Sequence, residues 1–186
     1  MKIKKVYEVM IPLSEYATVN ENDTLKTAIK TLFLFQEAKS NLKYQHRAVL
    51  VYDENGEITG KVSSLDVLRA LEPKYSQFGH SPRLTKIGLS RFGLSNEFLN
   101  SLVNNYNLWD ESYEVLVKKA ADLKVKSIMH SPDEGEYVNE DTTVAEAIHQ
   151  LIIGHHQSLL VLKNDKVIGI LRLTDLFNLI CDLMIK

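Results

Sequence analysis

Two short stretches of this sequence carry side chains that could hold an anion and a sugar. They are Ser63-Ser-Leu-Asp66 and Arg172-Leu-Thr-Asp175, and each lies between a predicted strand and a predicted helix. Backbone N–H groups at the start of a helix are unpaired and attract phosphate, and the Ser63 hydroxyl would add one more donor. A carboxylate in the first turn, such as Asp66, can accept hydrogen bonds from both hydroxyls of a ribose.

The same pattern also has a purely structural interpretation. A serine followed three residues later by an acidic residue forms a capping box, which satisfies the N–H groups of its own helix without any ligand. For the tetrapeptide alone, capping is the favoured interpretation. In the second stretch Arg172 replaces the serine. Its planar guanidinium could bind phosphate directly, or it could fill the site by pairing with Asp175.

Metal sites and catalytic sites have less support. His155 and His156 are adjacent, and neighbours on a strand point to opposite faces, so they cannot chelate one ion together. Ser63 lacks the strained elbow motif that presents a hydrolase nucleophile. We therefore predict no metal site, no required cofactor and no enzyme activity. The other histidines considered as ligands are His80, His130 and His149.

An internal repeat relates the two stretches. Val6-Tyr-Glu-Val-Met10 reappears as Val125-Lys-Ser-Ile-Met129, an offset of 119 residues (129 − 10) that holds through the following helix. Gly60 and Gly169 are offset by 109 residues (169 − 60), so the first copy holds about ten extra residues. They are assigned to residues 37–45, a polar segment typical of a surface loop.

Each copy is predicted to have the order βαββα. In the first copy, a strand at residues 17–19 precedes a helix from about Thr24, whose apolar residues recur at helical spacing. Two buried strands joined by a turn containing Asn55-Gly56 follow, and then a helix from Ser64. The later strands are predicted at 48–52 and 58–62 in the first copy and at 158–162 and 167–171 in the second, which ends with a helix at 174–184.

Residues 72–124 separate the copies and are predicted to be a helical insert. A helix is predicted from Ser95 or Asn96 to Asn105, and another over residues 111–123 with Asp110 as its cap. Packing of the insert's aromatic residues against the two copies is favoured, and a docking face for a partner is the alternative. The residues that break regular structure are Pro73, Gly79, Pro82 and Gly88, and the aromatic residues are Phe78, Phe92, Phe98, Tyr106 and Trp109.

Composition excludes several classes of function. The 186 residues include 22 basic and 24 acidic residues, which is too balanced a charge to gather nucleic acid. The single cysteine, Cys181, allows no intramolecular disulfide, and the N-terminus lacks the apolar run of a signal peptide. No apolar run approaches the roughly 20 residues that cross a bilayer. We expect a cytoplasmic protein with neither nucleic acid nor a membrane as partner.

The whole pattern resembles the cystathionine β-synthase (CBS) domain family, whose members come as tandem βαββα pairs. The marks are Val9-Met10 and Ile128-Met129, the stretch from His46 to Asp53, and the stretches from Gly60 to Asp66 and from Gly169 to Asp175. The resemblance implies an α/β fold in which repeats at residues 1–71 and 125–186 pack by their sheets about a pseudo-twofold axis. The helical insert, residues 72–124, lies between them. Two clefts and a homodimer are also implied.

By the same resemblance, a cleft binds an adenine nucleotide, AMP, ADP, ATP or a related adenosyl ligand, with or without Mg²⁺. Asp66 and Asp175 would hold ribose hydroxyls, and Ser63 would touch phosphate. In the second copy Arg172 replaces Ser63, so the first site is the better candidate. The remaining implied site residues are His46 and Arg47 on phosphate, Thr18 and Ala48 around the base, and His155 and His156 at the places of His46 and Arg47.

Two functions from different classes follow. The leading one is a regulatory Bateman module that converts nucleotide level into a change of shape or oligomeric state, read by a separate effector protein that docks on the insert. The alternative is a scaffold that keeps the fold for dimerisation while its clefts stay empty.

Overall fold

The protein is described by a computed structural model that covers residues 4–38, 46–75 and 95–185. Most of the extra loop predicted at residues 37–45 lies outside these ranges. The same is true of the part of the insert that holds Phe78, Gly79, His80, Pro82, Gly88 and Phe92.

The first copy has the predicted order of elements, preceded by a short additional strand. Its second to fourth strands form a three-stranded sheet, with β2 and β3 parallel and β3 and β4 antiparallel. The hairpin closes as predicted, since Gly56 has φ +80° and the Asp53 carboxylate accepts N–H bonds from Asn55 and Glu57. The elements are β1 (Ile11–Pro12), β2 (Thr18–Asn20), α1 (Leu25–Ala38), β3 (Ala48–Tyr52), β4 (Ile58–Ser63) and α2 (Ser64–Ala70).

The insert and the second copy follow. Asn164 and Asp165 both have positive φ, 49° and 61°, and make the tight turn between the last two strands. The second sheet has four strands in the order β1-β7-β6-β5. The elements are α3 (Asn96–Asn105), α4 (Tyr113–Ala121), α5 (Val125–Ile128), β5 (Tyr137–Asn139), α6 (Val144–Gly154), β6 (Ser158–Lys163), β7 (Lys166–Arg172) and α7 (Leu173–Ile185).

Each copy completes the other's core with its leading segment. Val6, from the start of the first copy, is fully buried in the core of the second, whereas Val125 is fully buried in the core of the first. The backbone contacts are equivalent: Val6 donates to the Thr142 carbonyl and Val125 to the Asp23 carbonyl, both at 2.9 Å. The two leading segments are thus exchanged about the predicted pseudo-twofold axis.

The sheets show the same exchange. β1 of the first copy pairs with β7 of the second, with Ile11 opposite Ile170. The equivalent contact in the other direction joins His130 to Lys61 of β4. The pairing of β1 with the second copy is therefore matched, at the repeat offset, by a bridge from the second copy to β4.

A third core lies between the two sheets and is formed by Tyr16, Leu50, Leu160 and Ile170. Side chains alternate along a strand, so Val49 and Val51 face the helices of their own copy, whereas Leu50 faces the other copy. On β4, Val62 packs in the helix-side core, which leaves Lys61 and Ser63 on the face turned toward the second copy.

The insert differs from its prediction at one cap. α3 begins as predicted, with Ser95 Oγ accepting the Phe98 N–H at 3.2 Å. The prediction of Asp110 as the next cap is wrong, because Ser112 precedes α4. Trp109 takes a left-handed conformation, φ 60°, and the Asp110 carboxylate accepts instead from Lys74 Nζ at 3.0 Å.

Glu72 fixes the insert to the end of α2. Its buried carboxylate accepts the Trp109 N–H at 2.8 Å and the Lys74 N–H at 3.2 Å. A buried carboxylate needs such donors because it has lost its water.

Within the described residues, no helix has the length and apolar character of a membrane span.

Candidate functional site

The junction between β4 and α2 carries the first predicted pair. Asp66 Oδ2 accepts from Ser63 N at 2.8 Å and from Ser63 Oγ at 2.5 Å, which makes a capping box. Asp66 is only 6% exposed, and its other oxygen, Oδ1, lies 3.8 Å from Arg69 Nη1. The capping interpretation therefore describes this structure. A carboxylate has about four acceptor positions, so capping by Ser63 does not exhaust Asp66.

Lys61 joins this junction to the second copy. It shares a face of β4 with Ser63, and its Nζ donates to Glu136 Oε2 at 2.9 Å and to Ser158 Oγ at 3.2 Å. We call the region of Ser63, Asp66, Lys61, Glu136 and Ser158 the first crevice. Lys61 was not predicted from the sequence, although a charged residue within a buried hairpin is a usable signal.

Glu136 accepts from Lys61 and is also hydrogen-bonded to His130. Burial by itself would raise the pKa of Glu136, but the hydrogen bonds and charges of Lys61 and His130 outweigh burial and hold that pKa below its ordinary value of 4.5. The first crevice thus contains an ionised pair that spans the two copies.

The junction between β7 and α7 carries the second pair in a different state. Arg172 Nε donates to Asp175 Oδ2 at 2.8 Å and Nη2 donates to Oδ1 at 2.5 Å. The side chains are 12% and 14% exposed, respectively. Of the two roles considered for Arg172, the structure shows the pairing with Asp175.

Tyr16 and His46 of the first copy complete the region that we call the second crevice, together with Arg172 and Asp175. Burial raises the pKa of Tyr16 to about 12, against the opposing effect of the nearby Arg172 guanidinium. The Tyr16 ring stacks on His46 with centroids 4.2 Å apart. The second crevice is therefore lined by both copies.

His46 and Arg47, to which the resemblance assigns phosphate, lie on different sides of the sheet. His46 is 1% exposed and stacks on Tyr16 and Phe35, so its ring is enclosed and reaches the second crevice through Tyr16. Arg47 lines a cavity of about 290 Å³ on the helix side of the sheet, and Ser63 borders that cavity at the end of β4. The side chains of neighbouring residues on a strand point to opposite faces, so His46 and Arg47 lie on opposite sides of the sheet.

The remaining predicted site residues lie on strands or at the end of a helix. Thr18 is half-buried opposite Leu50, and Ala48 is half-buried opposite Ser63. His155 ends α6 in a left-handed conformation, φ 52°. His156 follows it, half-buried beside Gly135. Across the described ranges, no group of three or more His, Cys, Asp or Glu side chains is placed to hold a metal ion.

Comparison with known proteins identifies the family. The CBS domain profile matches residues 6–73 and 125–182, which is more than half of the chain. No curated protein sequence matches significantly. The fold is similar to the CBS domain of a CBS-domain-containing membrane protein from Sphaerobacter thermophilus, with TM-score 0.60 and 18% identity, over 96% of this chain and 88% of that chain.

Two further similar structures hold nucleotides. CBSX2 in complex with AMP has TM-score 0.56 and 19% identity, over 97% of this chain and 98% of that chain. The CBS domain of a bacterial CNNM/CorC family Mg²⁺ transporter in complex with ATP has TM-score 0.54 and 17% identity, over 96% and 87%. At such identities the likeness concerns the fold. With both repeats matched by the family profile, this chain belongs to the CBS domain family and carries two CBS repeats in tandem.

Proposed function

We propose that this chain is a non-catalytic regulatory module that binds an adenine nucleotide in the first crevice. The observation that carries the proposal is the Ser63–Asp66 pair at the start of α2, beside Lys61 on the sheet face turned toward the second copy. Family membership supports it, as do the relatives that hold AMP and ATP.

Each part of a nucleotide finds a matching group. A ribose diol would donate to the Asp66 carboxylate, either at Oδ1 or in exchange for the neutral Ser63 hydroxyl. The Lys61 ammonium and the released Ser63 hydroxyl would contact phosphate. The apolar core between the sheets, which includes Ile58 and Tyr137, supplies a surface on which a base can pack.

Lys61 also provides a route from binding to signal. Its ammonium holds Glu136 and Ser158 of the second copy. A phosphate that draws Lys61 away from Glu136 would break this contact between the copies. The ligand then has different affinities for the two arrangements of the copies, which is the requirement for shifting their equilibrium.

The module also acts as a homodimer in this proposal. Phe33 on α1 and Leu68 on α2 are exposed, and so are Ile152 and Phe177 at the equivalent places of the second copy. Repeated apolar patches on the outer helices suit an interface between two copies of the chain. Phe33→Glu with Phe177→Glu should halve the mass measured by light scattering. Val115→Glu, at an exposed position of α4, is the control that should leave the mass unchanged.

Nucleotide binding is tested by thermal shift with AMP, ADP, ATP, GTP, NAD and S-adenosylmethionine. An adenine nucleotide at a hundred times its dissociation constant should add about 2.7 kcal/mol of stability. Asp66→Ala should abolish the shift. Glu146→Ala removes a capping box of the same type, with Thr143 at the start of α6, and should keep the shift. A wild-type chain that responds to none of these ligands, or a shift that survives in Asp66→Ala, would refute the proposal.

The scaffold function is favoured by one observation, the engagement of Asp66 with its own helix. If the clefts serve no ligand, the dimer should persist while every nucleotide leaves the melting temperature unchanged. Light scattering and thermal shift on the same sample therefore separate the two functions.

A further inference from the structure

The two crevices occupy equivalent places in the repeat but contain different chemistry. In the first, Asp66 accepts from the hydroxyl and the backbone N–H of Ser63, and the exposed Arg69 guanidinium lies 3.8 Å away without a hydrogen bond to it. In the second, both oxygens of Asp175 accept from the Arg172 guanidinium. We propose that Arg172 is a built-in occupant that closes the second crevice, so that each chain binds a single nucleotide. This inference rests on the proposed function of the first crevice.

The pairing consumes the groups that a ligand would use. A ribose diol at Asp175 would have to compete at both oxygens with N–H groups of a positively charged donor, whereas at Asp66 it competes at one oxygen with the neutral Ser63 hydroxyl. A phosphate in the second crevice would have to break two bonds between Arg172 and Asp175, whereas Lys61 in the first crevice holds Glu136 by one. Two bonds between oppositely charged groups are stronger than the single bond that the neutral Ser63 hydroxyl donates to the Asp66 carboxylate. A nucleotide would therefore displace Ser63 far more easily than Arg172.

The first copy holds the guanidinium in place from the other side. Tyr16 lies close enough to Arg172 to interact with its charge, and its ring stacks on the buried His46 ring. This fixed arrangement is unlike that of an arginine at a surface, which loses side-chain entropy when it binds. Because Arg172 belongs to the second copy and Tyr16 to the first, the contact also ties the copies together where no ligand enters. The contact between the copies at the second crevice therefore stays the same with and without ligand. Ligand binding changes the contact at the first crevice alone.

The test is the number of nucleotides bound per chain, measured by isothermal titration and by native mass spectrometry with AMP and with ATP. The wild-type chain should bind one nucleotide. Arg172→Ser gives the second crevice the serine of the first and should raise the number to two. Ser63→Arg places the same occupant in the first crevice and should reduce the number to zero.

The double exchange, Ser63→Arg with Arg172→Ser, should again bind one nucleotide. That binding should now be lost on Asp175→Asn and be insensitive to Asp66→Asn. Circular dichroism establishes that each variant is folded, and if Arg172→Ser does not fold, the loss of binding in folded Ser63→Arg decides the matter.

Two results would overturn this inference alone: a wild-type chain that binds two nucleotides, or a folded Arg172→Ser chain that still binds one. Retained binding in Ser63→Arg would do the same. A wild-type chain and an Arg172→Ser chain that both bind nothing would overturn the proposed function, and the inference with it.

Discussion

Lys61 and Glu136 form a buried ion pair whose partners come from different copies. Their side chains are 12% and 8% exposed, so neither charge is well solvated. A buried pair adds little compared with apolar residues of the same shape, but removal of one partner leaves the other charge stranded. Each residue of the pair is therefore needed to neutralise the other, and substitution of either one alone should lower the stability of the fold.

Lys61→Met should destabilise the chain by about 3 kcal/mol, because Glu136 would stay buried without the Lys61 ammonium and with His130 as its remaining side-chain partner. Urea denaturation at pH 7 measures the change. Lys163→Met is the control, since Lys163 forms an ion pair with Glu140 at 2.8 Å but is largely exposed. Equal losses in the two variants would contradict the special role of the crevice pair.

Protonation of Glu136 should also make the stability of the fold depend on pH. Its pKa in the folded chain is lowered below 4.5 despite burial, by the hydrogen bonds of Lys61 and His130. A lowered pKa in the folded state contributes stability that is present above the unfolded value and is lost as pH falls through the folded value. Wild-type stability should therefore fall below about pH 4.5.

This loss should be smaller in Glu136→Gln, which has no carboxylate to protonate. Denaturation midpoints measured from pH 7 down to pH 3 make the comparison. Parallel curves for the wild type and the variant would show that other carboxylates produce the whole effect.

Among the helices and strands, prediction succeeded where a local pattern decides the outcome. β3 was predicted over the residues it occupies, Ala48–Tyr52, because a continuous apolar run bounded by turn residues suits a buried strand. The start of α2 after Ser63 was also predicted, because a capping residue next to the helix marks it. The cap of α4 was misplaced because the contact of Asp110 with Lys74 joins residues 36 positions apart.

The candidate site was predicted only in part, for a related reason. The repeat revealed Ser63, Asp66, Arg172 and Asp175 as the polar residues at two equivalent junctions. It could not reveal that Lys61 reaches Glu136 or that Tyr16 reaches Arg172, because these contacts cross between the copies. A pattern within one copy carries no information about which side chains the other copy brings.

Glu72 should control how firmly the insert is attached to α2. Glu72→Gln weakens the bonds to the N–H groups of Trp109 and Lys74, because an amide oxygen accepts less strongly than a carboxylate. Trp109 is the single tryptophan, so its fluorescence reports this site alone. We expect emission at longer wavelength and stronger quenching by acrylamide. Glu111→Gln, which affects the exposed partner of Lys119, should leave the emission unchanged.

The complete molecule depends on the exchange of leading segments. Val6 fills the second core and Val125 fills the first, so neither copy has a finished core without the other. Two copies joined in this way should unfold in one cooperative transition. Division of the chain into an N-terminal and a C-terminal repeat would therefore not give two independent folding units.

Val6→Ala and Val125→Ala should each cost about 2 kcal/mol, because each opens space in a packed core. The strands that lose hydrogen-exchange protection identify the affected core more specifically than the change in unfolding free energy does. Val6→Ala should lower hydrogen-exchange protection first in β6 and β7, and Val125→Ala should do so first in β3 and β4. Loss of protection within the copy that carries the substitution would contradict the exchange.

The exchange also sets the order of events on the ribosome. The first repeat is synthesised early, yet its core lacks Val125 and Met129 until the whole insert has been translated. At the usual rate of about 5–20 residues per second, the nascent N-terminal half waits several seconds with an open apolar surface. During this interval it is exposed to chaperones and to other nascent chains. The second repeat has no such delay, because the segment it borrows was made first.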